Sequence, residues 1–222
     1  RRLVITIDGP AGVGKSTVSK CLAGRLHYGY LDTGALYRAL AWKVQQEQLD
    51  PSNLSHIESL LSRTSLQLIA DQNGFSIKLD GQFVIEKELR TSGISQLASS
   101  IAVLPIVREW LLPVQQAVGK TGGVVAEGRD MGTRVFPNAD VKFFLEADVN
   151  VRAHRRQQEL VGKGQPVHLD TVRDEMVARD TRDRTRAHDP LRPAPEAIMI
   201  ETSQKPIEDI VSDMMGMIAD RS

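Results

Sequence analysis

The residues best suited to chemistry lie in four short stretches. Residues 9–16, GPAGVGKS, fit the spacing G-x-x-x-x-G-K-[ST], with Gly9, Gly14, Lys15 and Ser16 at the set positions. Glycines let backbone N–H groups turn inward around phosphate oxygens, and a helix starting at the lysine adds the positive end of its dipole. In such a loop Gly9, Pro10, Ala11, Gly12, Val13, Gly14, Lys15, Ser16 and Thr17 surround a nucleoside triphosphate. Lys15 reaches the β- and γ-phosphates and Ser16 ligates Mg²⁺. The loop alone does not separate a GTPase switch, a motor ATPase and a small-molecule kinase. The sequence has no N-K-x-D guanine-reading motif, which weighs against the switch.

The other three stretches carry charge. DTGALYR supplies Asp32, Thr33 and Arg38; EGRDMGT supplies Glu127, Arg129 and Asp130; RDTRDRTR spans residues 179–186. On a helix Arg179, Asp183 and Arg186 share one face, Arg182 lies beside it, and Asp180 and Arg184 form an i, i+4 pair. Each stretch taken alone has a plain structural reading: a capped helix, a solvated turn at a strand end, a salt-bridged helix. Beside a phosphate loop they read differently. A phosphoryl group in transfer spreads negative charge over its oxygens, and arginines stabilise it with paired hydrogen bonds. Together the stretches form a crevice for a polar anion.

The elements that must position these residues alternate. A short apolar run at 3–7 reads as a buried strand, followed by the loop and a helix from Lys15 to Leu26. A second strand at 28–31 leads into a helix capped by Thr33 and running to Gln46, then a helix from Leu54 to Arg63. Residues 65–85 are β-prone and punctuated by Asn73-Gly74 and Asp80-Gly81, which predicts an antiparallel meander with tight turns. Helical patterns return from Ser92 to Ala117. VVAEGRD and VKFFLEAD read as core strands. A charged helical region runs from Val149 to Arg186, interrupted near 162–166. AIMIET is a last strand, and Ile207 to Ile218 a last amphipathic helix. Such alternation implies a parallel sheet covered on both faces, with ligands at the carboxyl ends of its strands.

Composition bounds the rest. The 222 residues carry 28 basic and 28 acidic side chains, so polymeric nucleic acid is not an expected partner. The five histidines show no metal spacing. The single cysteine, Cys21, excludes an internal disulfide and is expected to pack, as are Trp42 and Trp110. No apolar run reaches the roughly 20 residues of a membrane helix. The start, Arg1-Arg2-Leu3, shows no signal segment and suggests a trimmed terminus. The expectation is a cytoplasmic, monomeric protein without a membrane anchor.

DGPAGVGKST, DTGALYRA, the meander, PIVRE, EGRDMGT, VFPNA and RDTRDRTR, in this order over nearly the whole chain, resemble bacterial cytidylate kinase, a P-loop nucleoside monophosphate kinase family. The resemblance implies an α/β fold: a P-loop NTPase-type parallel sheet flanked by helices, an inserted acceptor-binding subdomain and a mobile lid. The implied core is 1–32, 119–150 and 188–222, the acceptor-binding subdomain 33–118, and the lid 151–187. The implied reaction moves the γ-phosphate of ATP to CMP or dCMP with Mg²⁺. The implied acceptor-phosphate ligands are Arg38, Arg129 and Arg186, with Thr33 as an acceptor-binding hydroxyl. Cytosine contacts fall on Ser99, Arg108 and Asp130, and ribose contacts on Arg179 and Asp183. Lys15, Arg182 and Arg184 would stabilise the transferring group.

Glu127 stands where many of these enzymes carry Asp, and its longer side chain could hold a water of Mg²⁺. A carboxylate at Asp130 can accept from the N4 amino group of cytosine, whereas uracil presents a carbonyl there, so CMP should be preferred to UMP. The acceptor is itself an ionised phosphate, and no general base is assigned. The competing readings are a kinase of another small anion, and a nucleotide-dependent switch with no acceptor.

Overall fold

The computed structural model describes residues 2–72, 74–162 and 164–220, with Glu86 described through its backbone alone. Among these residues the main sheet has five parallel strands: β1 Val4–Asp8, β2 Gly29–Asp32, β6 Val124–Gly128, β7 Val141–Glu146 and β8 Ile198–Glu201, in the order β2-β6-β1-β7-β8. The strands read as continuous apolar runs because both faces are buried. Ile5, Ile7, Val125 and Phe143 pack against α1 (Lys15–Leu26) and α9 (Ile207–Ala219). Val124 and Ala126, pointing the other way along β6, pack with Met131, Val135 and Phe136. The register sets Asp8 opposite Gly128, and Asp32 opposite Glu127, so the chemically active strand ends are level.

After β2 the chain forms α2 (Thr33–Gln46). The predicted cap was Thr33. The cap is instead Asp32, whose Oδ1 accepts from Ala35 N at 3.2 Å, and Thr33 opens the helix. The reason is long-range: the Thr33 hydroxyl donates to the Glu127 carbonyl at 2.7 Å and is not available to its own helix. Then follows α3 (Leu54–Ser62), capped by Asn53.

The meander is present as β3 (Leu66–Asp71), β4 (Gly74–Leu79) and β5 (Gln82–Phe83), all antiparallel. Asp80 and Gly81 both have positive φ, 49° and 83°, as a tight Asp-Gly hairpin turn requires. Asn73, of the other predicted turn, lies outside the described residues. Gly74, with φ 135°, brings the meander against β2 so closely that a Cβ there would stand 2.4 Å from the Tyr30 carbonyl oxygen.

Short α4 (Glu86–Leu89) leads to α5 (Ser92–Ile101) and α6 (Pro105–Gly119). The helical stretch expected from Ser92 to Ala117 is thus two helices meeting at 101°. Pro105 disfavours helical backbone at the residue before it and starts a new helix. The bend brings Ser99 of α5 and Arg108 of α6 to one crevice. Helices α2, α3, α5 and α6 and the meander share their own core, including Leu36, Leu40, Ile57, Ile77 and Leu111, against which Trp42 and Trp110 pack as expected. Cys21 packs against the main core.

Beyond β6 the residues Met131–Val135 form a single π-helical turn. The charged region is α7 (Val149–Gly162) and α8 (Leu169–Thr185), broken where expected, although Lys163 lies outside the described residues. No single helix among the described residues is long and apolar enough to cross a membrane.

Candidate active site

A crevice of about 1010 Å³ opens at the carboxyl ends of the strands. The phosphate loop, α2, α5, α6, the end of β6 and α8 all contribute to its lining. A second hollow of about 860 Å³ lies at the amino ends of β2 and β6 and contains none of the candidate site residues.

The loop between β1 and α1 has the backbone that its glycines permit. Gly9, Gly12 and Gly14 have φ of 151°, 76° and 94°, and a Cβ on Gly9 would lie 2.3 Å from the Leu145 carbonyl oxygen. The first turn of α1 carries no acidic residue, so its free amides and dipole favour an anion. Lys15 is buried and donates to the Pro10 carbonyl at 2.6 Å. Burial, then the Arg129 charge, push its pKa down to about 7, while Glu127 and Asp8 pull it up.

Helices α7 and α8 grip this loop. Arg152 of α7 donates to Ala11 O at 3.0 Å and to Asp180 of α8 at 2.5 Å, and Asp180 accepts from Ala11 N at 3.3 Å. The expected Asp180–Arg184 pair therefore gives way to a buried pair with Arg152. A loop amide and a buried guanidinium compete better for the carboxylate than an exposed arginine does.

The rest of the crevice is a lattice of arginines and carboxylates. Arg38 donates to Asp32 at 2.7 Å, and Arg90 lies 3.6 Å from the same carboxylate. Arg129 Nε donates to Asp183 at 2.9 Å. Arg186 Nε donates to the Asp189 carbonyl at 2.8 Å, and its guanidinium lies 3.7 Å from Asp130 and 4.0 Å from Asp183. Arg108 donates to Asp130, and to Asp189 at 3.0 Å. Burial pushes the Asp130 carboxyl up, against the pull of Arg108 and Arg186. Arg182 NH2 is 3.5 Å from Ser99 Oγ. Burial and the nearby Arg129 lower Arg179 to about 10. Among the described residues no group bonds the buried Nε of Arg179 or of Arg38, and both side chains line the crevice.

Of the residues singled out from sequence, Ser16, Thr17, Thr33, Arg38, Ser99, Arg108, Arg129, Asp130, Arg179, Arg182, Asp183 and Arg186 all line this crevice with Lys15. Arg184 does not; it is exposed on the other side of α8. Gly9 and Pro10 lie buried beneath the loop that Ala11 to Thr17 expose to the crevice.

Four contributors are not among the site residues singled out from sequence. Tyr30 donates to Glu127 Oε1, with the Ser16 hydroxyl beside the same carboxylate. Burial and the Glu127 charge push the Tyr30 phenol strongly up, so it remains a donor. Arg90 and Arg152 act through the partners given above. Asp8 ends β1, and its carboxylate accepts from Met131 N at 2.9 Å and Gly132 N at 2.8 Å. Burial pushes its pKa up to about 7 despite those bonds. The signals for Asp8 are its place at the head of DGPAGVGKST and a charge closing the strand VITID.

A phosphate loop at the carboxyl edge of a parallel sheet, faced by arginines across a crevice, defines a P-loop kinase of a small acceptor. Residues 5–220 match the family model Cytidylate kinase. The chain is 41% identical over 221 residues to the cytidylate kinase of Geobacillus thermodenitrificans (strain NG80-2), covering 100% of this chain and 98% of that one. It is also 41% identical over 222 residues to that of Bacillus subtilis (strain 168), covering 100% and 99%. A gluconokinase from Sinorhizobium meliloti 1021 shares the fold with TM-score 0.51 and 14% identity, over 99% of this chain and 94% of that one. The chain belongs to the cytidylate kinase family and is a nucleoside monophosphate kinase.

Proposed function

We propose that the crevice holds ATP and CMP or dCMP end to end and transfers the γ-phosphoryl group directly between them. The observation that carries this is the meeting of Lys15, Arg129, Arg179 and Arg186 with the buried Asp130 in one crevice. The loop from Gly9 to Thr17 binds the donor phosphates. Arg38, Arg129 and Arg186 hold the acceptor phosphate, each already oriented by a carboxylate or carbonyl at its back. Arg179 and Asp183 bind the ribose. Lys15 and Arg182 stabilise the transferring group, and Arg184 joins them only if the lid moves.

The residues at the loop fit Mg²⁺: a hydroxyl from Ser16 and a carboxylate from Glu127 are hard oxygen donors, with triphosphate oxygens to complete the set. Ser16 would hold the ion directly and Glu127 through water. When bound, the ion supplies charge neutralisation at the β- and γ-phosphates. Tyr30 fixes the Glu127 carboxylate for that task.

No base and no covalent intermediate are required, because the acceptor oxygen is already anionic. Alignment and preorganised positive charge do the work. Residues 151–187 act as a lid, whose Arg152–Asp180 clamp on Ala11 draws α7 and α8 over the loop and keeps water from competing as acceptor.

Asp130 makes the base selection. Arg108 holds one oxygen of its carboxylate, leaving lone pairs to accept from the cytosine N4 amino group. Calorimetric titration tests this without turnover. The unsubstituted protein should bind CMP at least about 100-fold tighter than UMP, since a buried acceptor facing a carbonyl is left unpaired. Asp130→Ala should bring the two affinities together. Equal affinities in the unsubstituted protein would remove Asp130 from this role.

A further inference from the structure

Asp8 is the last residue of β1 and the residue before the phosphate loop, and it is 4% exposed. Among the described residues its carboxylate bonds no loop amide and no arginine, although it feels the charge of Lys15. Both its oxygens are spent across the sheet, one on Met131 N and one on Gly132 N. These are the first two amides of the π-helical turn Met131–Val135. A helical turn normally has its second or third amide satisfied by the side chain of its own cap residue. Here the cap residue is Asp130, and its side chain makes no cap bond, because it is turned to Arg108 and Arg186. Asp8 does the capping from 123 residues away. The turn lies tightly on β1: a Cβ on Gly132 would stand 3.2 Å from Thr6 Oγ1.

We propose that Asp8 is a positioning residue for acceptor recognition: by capping the turn in place of Asp130, it frees and aims the Asp130 carboxylate, and it ties that turn to the root of the ATP loop. The inference rests on Asp130 reading the acceptor base. Without the two bonds from Asp8, the Gly132 amide, second in the turn, recruits the carboxylate of its own cap residue, and Asp130 swings out of the crevice.

Asp8→Asn is the sharp test. Asparagine keeps the shape but offers one acceptor oxygen and turns an NH2 toward an N–H, so one amide is left unbonded. Loss of one buried hydrogen bond should raise the KM for CMP by about tenfold and lower the CMP:UMP ratio of kcat/KM by a similar factor. The KM for ATP should change clearly less than the KM for CMP, since the loop keeps its glycines and Lys15 and loses only the Asp8 charge that favours the protonated lysine. Should Asp8→Asn not yield folded protein, Asp8→Ser replaces it, accepting from one amide without the opposed NH2. In an Asp130→Ala background the Asp8 substitution should leave the already reduced CMP:UMP ratio unchanged. A purely structural Asp8 would lower thermal stability and leave KM for CMP and the ratio alone, and that result overturns the proposal. If Asp130→Ala itself keeps the CMP preference, the base-reading assignment fails instead, and the two failures are told apart in one set of assays.

Discussion

Lys15→Ala should stay folded and lose about 10²–10³-fold in kcat, the usual cost of removing one preorganised donor to a developing anion. Lys15 is buried, yet its only hydrogen bond among those described is to the Pro10 carbonyl, and burial with Arg129 nearby opposes its charge. An ammonium whose pKa is driven down to about 7 is held there at a cost to stability, so its removal should leave the melting temperature equal or higher. The donor phosphates would restore its charge. Function alone therefore explains why it occupies that position. Circular dichroism melts and steady-state kinetics at saturating ATP and CMP check both halves. A variant with unchanged kcat would take Lys15 out of the transfer step.

If Arg186 holds the acceptor phosphate as proposed, Arg186→Ala should cost about 10²–10³-fold in kcat/KM for CMP and leave ATP binding unchanged, because its partners are Asp130, Asp183 and Asp189 and none belongs to the loop. The fold should survive. Asp130 keeps Arg108, and Asp183 keeps Arg129, so neither carboxylate is left as an unpaired buried charge. Arg186→Lys should recover little. The guanidinium is gripped through Nε by the Asp189 carbonyl while its far end faces Asp130 and Asp183, and an ammonium cannot do both. Activity of Arg186→Ala within about threefold of the unsubstituted enzyme would contradict the assignment, since that is less than one ordinary hydrogen bond contributes.

What the sequence made legible follows from how local each cause is. The phosphate loop is a backbone conformation written in consecutive residues, and it folds as read. The sheet follows from the alternation of apolar runs and helices. Arg179 and Asp183 could be set on one face of α8 because helical spacing is regular; Arg186, expected to continue that face, is instead the non-helical residue that ends α8, and it lines the crevice with them all the same. Side-chain partners were another matter. Asp32 and Thr33 are both good caps, and only the distant Glu127 carbonyl decides between them. Asp180 has an i, i+4 partner on its own helix and still turns to Arg152 and Ala11, which no spacing on α8 reveals. Tyr30, Arg90, Arg152 and Asp8 act through contacts made across the fold. No short motif contains both members of any of those pairs.

The most direct test is ADP formation from ATP and Mg²⁺ with CMP, dCMP, UMP or AMP added in parallel, and with no acceptor. Rapid ADP formation with CMP and dCMP, and little with UMP, AMP or no addition, is the expected result. ADP forming at the same slow rate whatever is added would contradict it, and would make the crevice a nucleotide-dependent switch.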